Sequence, residues 1–245
     1  MALLSLTGVS KRYTRGLRTL VALDDVSLDV DAGDFVAIWG SSRSGKTTLL
    51  RIAAGIERPD AGAVTFDGRD LATLSRRHRA RLLREEIGCV WQTARLTSGL
   101  SALDHVALPL LRRHGHAEAR RRAHDLLERL GALPCAHARW RELTDGDRMR
   151  VALAHALIRQ PRLVLADEPT ANLNMIERDQ VLALLRGLAD DLGAAVVMTA
   201  PDAPTMLHSH RLLGLDAGRL IAPRPPERGT VLRFPDGGRR PGRGR

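Results

Sequence analysis

Gly40-Ser41-Ser42-Arg43-Ser44-Gly45-Lys46-Thr47 follows the spacing G-x-x-x-x-G-K-[ST], in which each residue type has a mechanical role toward a triphosphate. The flanking glycines let the backbone bend until its N–H groups point inward at an anion. Lys46 can reach the β/γ-phosphates, and the Thr47 hydroxyl can ligate Mg²⁺. Lys46 and Lys11 are the only lysines of the chain. A second cluster follows far along the sequence: Asp167 and Glu168, directly after the apolar run Leu163-Val164-Leu165-Ala166. Carboxylates at the carboxyl end of a strand stand where open α/β sheets bind ligands. Asp167 is then placed to hold Mg²⁺, directly or through water, and Glu168 to orient or deprotonate an attacking water. A phosphate loop with this carboxylate pair points to metal-dependent triphosphate hydrolysis, with Lys46 and Glu168 as its catalytic residues. No guanine-reading motif of the small GTPase kind accompanies the loop, which favours ATP.

The surrounding elements suit that chemistry. Phe35-Val36-Ala37-Ile38-Trp39 reads as an apolar strand before the loop, and Thr48 to Ala54 as a helix after it. The phosphates would then sit on a helix N-terminus, with Thr48 close behind the loop. Residues from Leu3 to about Val30 alternate apolar and polar, as in short antiparallel strands. Pro59-Asp60-Ala61-Gly62 turns into Ala63-Val64-Thr65-Phe66, and Ser75 to Glu86 is helical and basic. Ile87 to Trp91 reads as a buried strand, and Ser101 to about Leu130 as helices with an apolar and an arginine face. A helix from about Asp147 to Ile158, the strand ending at Asp167, a helix from about Met175 to Leu192 and the strand Ala194 to Met198 complete the pattern. Alternating strands and helices predict an α/β fold with a mostly parallel sheet covered on both faces.

Composition narrows the alternatives. With 245 residues the chain can bury one substantial core, and 44% hydrophobic and 27% charged residues are ordinary for a globular domain. No apolar run reaches bilayer-spanning length, and the N-terminus lacks an export pattern. Cys89 and Cys135 have neither metal nor redox spacing, as expected in a reducing cytoplasm. The net charge of +10 is inflated by seven arginines between Arg224 and Arg245, in a Pro/Gly-rich segment that reads as a disordered tail. That tail suits either acidic headgroups or nucleic acid, or is a plain solvated extension, and no specific nucleic-acid partner is expected.

From about Leu6 to Leu220 the motifs resemble the ATP-binding subunit of an ABC transporter, in its lipoprotein-release, macrolide-efflux and cell-division branch. Tyr13 sits where that family stacks an aromatic on adenine. Gln92 matches the glutamine that senses Mg²⁺ and contacts the membrane partner, and Leu103 to Leu110 resembles the branch named above. Leu143-Thr144-Asp145-Gly146-Asp147 occupies the place of the family's signature, with Thr144 and Gly146 as nucleotide contacts. Asp167 to Asn174 resembles the metal-strand and dimer-loop block. The resemblance implies a RecA-like P-loop NTPase core, an N-terminal antiparallel β subdomain and an inserted helical subdomain at about 93–150. The ATP-binding domain would span 1–222 and the tail 223–245. It also implies ATP and Mg²⁺ as ligands, Thr47, Gln92 and Asp167 as metal contacts, and a homodimer or heterodimer of ATPases that sandwiches ATP. The partner would be an integral membrane permease, at the inner face of the cell membrane.

Departures fall inside this constellation. Arg43 replaces a loop glycine, which either strains the backbone by about 1 kcal/mol or adds a phosphate contact. Asp145 and Asp147 replace a glycine and a glutamine of the signature, where their carboxylates repel phosphate, or the segment is an ordinary helix start capped by Thr144 or Asp145. Ala200 stands where the family has a histidine facing the γ-phosphate, and Asn174 replaces the dimer-loop aspartate. Two readings follow: an ATPase subunit driving a separate permease, or a hydrolysis-impaired ATP-binding partner in an asymmetric complex. A nucleic-acid or translation-linked relative is disfavoured by the single phosphate loop and the lack of a coiled-coil insertion.

Overall fold

The computed structural model describes residues 2–16, 18–92, 97, 99–171, 173–201 and 208–221. Asn172, Asp202 and the basic tail at 223–245 lie outside the described residues, as do positions 93–96 and 98 of the expected helical subdomain.

Leu4–Arg15 (β1) and Arg18–Val30 (β2) pair antiparallel down to Arg15 opposite Arg18. These strands are long, 12 and 13 residues, where the sequence pattern predicts short ones. The reason lies in the outer end of the hairpin. Leu20 and Val21 there are exposed, so pairing is carried by backbone hydrogen bonds with no core alternation to announce it. Phe35–Trp39 (β3) leads through the phosphate loop into Lys46–Ala53 (α1). Ala61–Phe66 (β4) and Arg69–Asp70 (β5) complete a four-stranded antiparallel sheet in the order β2-β1-β4-β5.

Arg76–Glu85 (α2) and Ile87–Val90 (β6) precede a helical region of Ala102–Ala107 (α3), a 3-10 turn at Leu108–Leu110, Leu111–Arg129 (α4) and Asp145–Leu157 (α5). The chain then alternates through Leu163–Asp167 (β7), Met175–Asp190 (α6), Ala195–Ala200 (β8), Arg211–Asp216 (β9) and Arg219–Ile221 (β10). The second sheet runs β10-β9-β3-β8-β7-β6 and is parallel except for the antiparallel edge pair β9–β10.

Side chains alternate across a strand, so the central strands feed two cores. Val36 and Ile38 join α1 and the antiparallel sheet through Leu50, Leu4 and Phe66. Phe35 and Ala37 join the helices through Val106, Leu127, Leu153 and Leu185. Every residue of β7 is buried, which explains its unbroken apolar sequence up to Asp167.

In the helical core His105 of α3 stacks on His155 of α5 at 4.4 Å. His105 Nδ1 accepts from the Thr97 backbone N–H, while His155 Nδ1 lies 3.0 Å from the His105 carbonyl. Burial, then the His155 ring, pushes the His105 pKa down to about 4. The unfolded chain therefore takes up a proton near pH 6.5 that the folded chain refuses, and stability falls as pH drops from about 6.5 to 4. The expected loss is on the order of 3 kcal/mol for this residue. Urea titrations at several pH values check it: His105→Leu flattens the slope, whatever its stability at neutral pH.

Candidate functional site

The loop after β3 is shaped by two glycines that nothing else replaces. A Cβ on Gly40 would lie 2.3 Å from the Leu215 carbonyl oxygen, and one on Gly45 would lie 2.1 Å from that of Ala22. Gly45 also has a φ of 109°. Between them Arg43 adopts a φ of 67°, the left-handed region, so the strain expected of a non-glycine residue is present, at about 1 kcal/mol. Its side chain is exposed. Helix α1 starts at Lys46 with no side-chain cap and no acidic residue in its first turn, leaving its leading N–H groups open. Ser44 Oγ is buried without a hydrogen-bond partner among the described residues. Open helix N–H groups and an orphaned hydroxyl in one cradle fit a phosphate chain.

Lys46 is buried and donates to the Gly40 and Ser41 carbonyls at 2.7 and 3.0 Å. It also pairs with Glu168 at 3.2 Å, so the fold joins the loop to the end of β7 across 122 residues of sequence (168 − 46). Thr47 Oγ1 donates to Asp167 Oδ2 at 2.7 Å, and Thr199 Oγ1 donates to Asp167 Oδ1 at 2.7 Å. Gln92 donates to Glu168 Oε2 at 3.1 Å. The Thr47 hydroxyl, the Asp167 carboxylate and the Gln92 amide oxygen are hard oxygen donors of the kind that would suit Mg²⁺.

Glu168 itself holds a φ of 48°, and its N–H donates to Thr199 Oγ1 at 3.0 Å. A strained carboxylate residue fixed on both sides by hydrogen bonds is a pre-positioned group. Thr199, whose hydroxyl joins Asp167 to the Glu168 N–H, is the member of this cluster that sequence reading missed. Its signal was present: a polar residue ending the buried run Ala195-Val196-Val197-Met198.

Tyr13 reaches the same end of the molecule. Its hydroxyl donates to Glu57 at 2.6 Å and lies 3.4 Å from Thr48 Oγ1, with the ring partly exposed. Lys11 stands 5.7 Å from the ring centre, held by Asp60 at 3.0 Å.

Thr144 and Gly146 belong to a separate cluster whose bonds run to α5 and α6. Thr144 caps α5 by accepting from the Asp147 N–H at 3.1 Å, while its hydroxyl donates back to Asp147 Oδ2 at 2.7 Å. Burial pushes the Asp147 carboxyl up, but bonds from Thr144 and Arg150 outweigh it and hold the pKa below the ordinary value. Arg150 then bridges Asp147 to Glu177 at 2.7 Å each way, and Glu177 forms a capping box with Asn174 at the start of α6. Asp145 pairs with Arg148 at 3.0 Å. The capping box of Thr144 and Asp147 closes the start of α5 and occupies the Thr144 hydroxyl. Ala200 ends β8 fully buried among Met198, Ala37 and their neighbours. A histidine there would have to displace core.

A phosphate loop between a parallel strand and a helix, with a carboxylate pair on an inner strand, defines a P-loop nucleotide-binding domain. The ABC transporter family matches residues 23–171. The chain is 40% identical to the lipoprotein-releasing system ATP-binding protein LolD of Chromohalobacter salexigens, covering 89% of this chain and 92% of that one. It is also 40% identical to the macrolide export ATP-binding/permease protein MacB 1/2 of Paracoccus denitrificans, and spans about a third of that protein's length. Among solved structures, the dimeric ATP-binding cassette MJ0796 bound to ADP and Pi superposes with a TM-score of 0.84 at 32% identity, covering 89% of this chain and 96% of that one. The chain belongs to the ABC transporter family, as an ATP-binding subunit.

Proposed function

We propose that this chain binds Mg·ATP in the Gly40–Thr48 cradle and couples it to a separate membrane permease. The observation that carries this is the single hydrogen-bonded constellation of Lys46, Thr47, Asp167, Glu168 and Gln92. Lys46 and the α1 N–H groups would hold the phosphates, and Thr47, Asp167 and Gln92 would hold Mg²⁺, which would supply positive charge beside the terminal phosphate. Glu168 stands to accept a proton from water, and its bond to Gln92 links it to the segment leading into α3. Tyr13 supports adenine by stacking. Residues 1–222 act as the ATP-binding unit, with a helical subdomain at about 93–150.

LolD and MacB are named for export and lipoprotein release, and MJ0796 is dimeric. Those names support a dimer of ATPases beneath a permease, at the inner face of the cell membrane. No helix among the described residues is long and apolar enough to cross a membrane.

A second reading, hydrolysis-impaired ATP binding in an asymmetric complex, is favoured by the self-capped α5, whose Thr144 hydroxyl is taken by Asp147. ATP turnover and nucleotide binding, measured on the wild type and Glu168→Gln, separate the two. Turnover lost at least about hundredfold in the variant supports the enzyme. Binding with no turnover in either chain selects the second reading. Absence of Mg·ATP binding rejects both.

A further inference from the structure

Of the two lysines, Lys46 serves the phosphate cradle and Lys11 lies outside it. All other members of the 38 lysines and arginines are arginine. The surroundings of Lys11 give a reason for the exception. Its Nζ donates to the Arg58 carbonyl at 2.9 Å and to Asp60 Oδ1 at 3.0 Å, and stands 3.7 Å from Glu57 Oε1. Three acceptors around one nitrogen suit a compact ammonium, whereas a guanidinium spreads its donors in a plane.

The residues that Lys11 meets form a turn behind α1. Glu57 is tied to that helix by its N–H, which donates to the Arg51 carbonyl at 3.2 Å. From there the turn grips four consecutive residues of β1. The Asp60 N–H donates to the Ser10 carbonyl at 2.8 Å, and Lys11 bonds as described. The Arg12 N–H donates to Asp60 Oδ2 at 2.7 Å, and the Tyr13 hydroxyl donates to Glu57 Oε1 at 2.6 Å. One carboxylate oxygen thus faces both the phenol and the ammonium.

The grip coincides with an irregularity in the ladder, because the β1–β2 register shifts on both sides of Lys11. A shift of this kind re-aims the side chains beside it, so strand pairing alone does not fix the direction of Tyr13. The turn supplies what the ladder lacks. Burial, then the Glu57 bond, hold the Tyr13 phenol above its ordinary pKa.

We infer that Lys11 and Glu57 are positioning residues for the base end of the site, clamping Tyr13 against α1 so that its ring is oriented before nucleotide arrives. The inference rests on the reading of Tyr13 as the support of adenine and adds what fixes the ring. A side chain already held gives up little freedom on binding, so the clamp contributes to affinity for the base and not for the phosphates.

Isothermal titration of the full chain with Mg·ATP and with Mg·tripolyphosphate, which has no base, tests this. Tyr13→Phe keeps the ring and removes its tether, while Glu57→Ala removes the acceptor. Each weakens ATP binding about fivefold, and the two together weaken it no further, because both break one contact. Lys11→Arg, which keeps the charge, weakens ATP binding about threefold. Tripolyphosphate binding stays within about twofold in all of them. Tyr13 is the only tyrosine, so tyrosinate absorbance reads its phenol directly, and Glu57→Ala moves that titration to lower pH. ATP binding left unchanged by Glu57→Ala or Lys11→Arg, additive losses in the pair, an equal loss for tripolyphosphate, or an unmoved phenol titration overturns the inference. If the wild type binds ATP no more tightly than tripolyphosphate, the support of adenine by Tyr13 falls and the clamp with it. If neither ligand binds, the cradle reading beneath both falls.

Discussion

Lys46→Ala is expected to weaken Mg·ATP binding at least about hundredfold, for two reasons that add. The ammonium supplies charge-assisted hydrogen bonds to phosphate, each worth about 1.5–3 kcal/mol. Its removal also leaves Glu168, 3.2 Å from Nζ in the wild type, as an uncompensated carboxylate facing an anionic ligand. The second contribution is separable. Glu168→Gln in the Lys46→Ala background removes the repelling charge and restores part of the affinity, roughly tenfold. Isothermal titration with ATP and Mg²⁺ measures all four chains of the cycle. A Lys46→Ala chain that binds within threefold of wild type would falsify the assignment of the cradle.

The second large effect concerns self-pairing. In the ATP sandwich that the family resemblance implies, each site would combine one copy's phosphate loop with the other's signature segment, and so would bring Asp145 and Asp147 of one copy toward the phosphates held by the other. A like-charge pair at about 6 Å and an effective dielectric near 20 costs roughly 3 kcal/mol. Arg148 and Arg150 neutralise part of that, leaving about 1.5 kcal/mol per site. Two sites make about 3 kcal/mol, so Asp145→Gly with Asp147→Gln is expected to raise ATP-dependent self-association about hundredfold. Gln at the third helical position keeps the Thr144 capping box while removing the charge. Light scattering of both chains in the Glu168→Gln background, with and without ATP, gives the answer. Self-association that does not change would show that the aspartates do not bar pairing. Ala200→His is left out of the design, since a side chain enlarged inside a filled core costs about 1–3 kcal/mol by itself.

Asn174 illustrates how a local departure acquires a role in the fold. As a replacement for a dimer-loop acid it reads as a loss, yet its side chain caps α6 and its N–H donates to Glu177 at 3.1 Å, the far end of the Arg150 bridge. Asp147 of α5 and Asn174 of α6 are thus joined in one network between two helix N-termini.

What the sequence by itself determined is whatever depends on neighbours along the chain. The eight-residue loop spacing, the apolar strand before it and the carboxylates closing Leu163–Asp167 are short-range patterns, and backbone geometry turns each into local structure. Only the tertiary structure decided the partners: Lys46 with Glu168, Thr199 with Asp167, and Arg150 with Glu177. These pairs join residues remote in sequence, and which face a strand-end side chain takes follows from sheet register. Ala200 makes the point most directly. Its neighbour Thr199 bonds Asp167 of β7 while Ala200 itself enters the core, because successive side chains leave a strand on opposite sides.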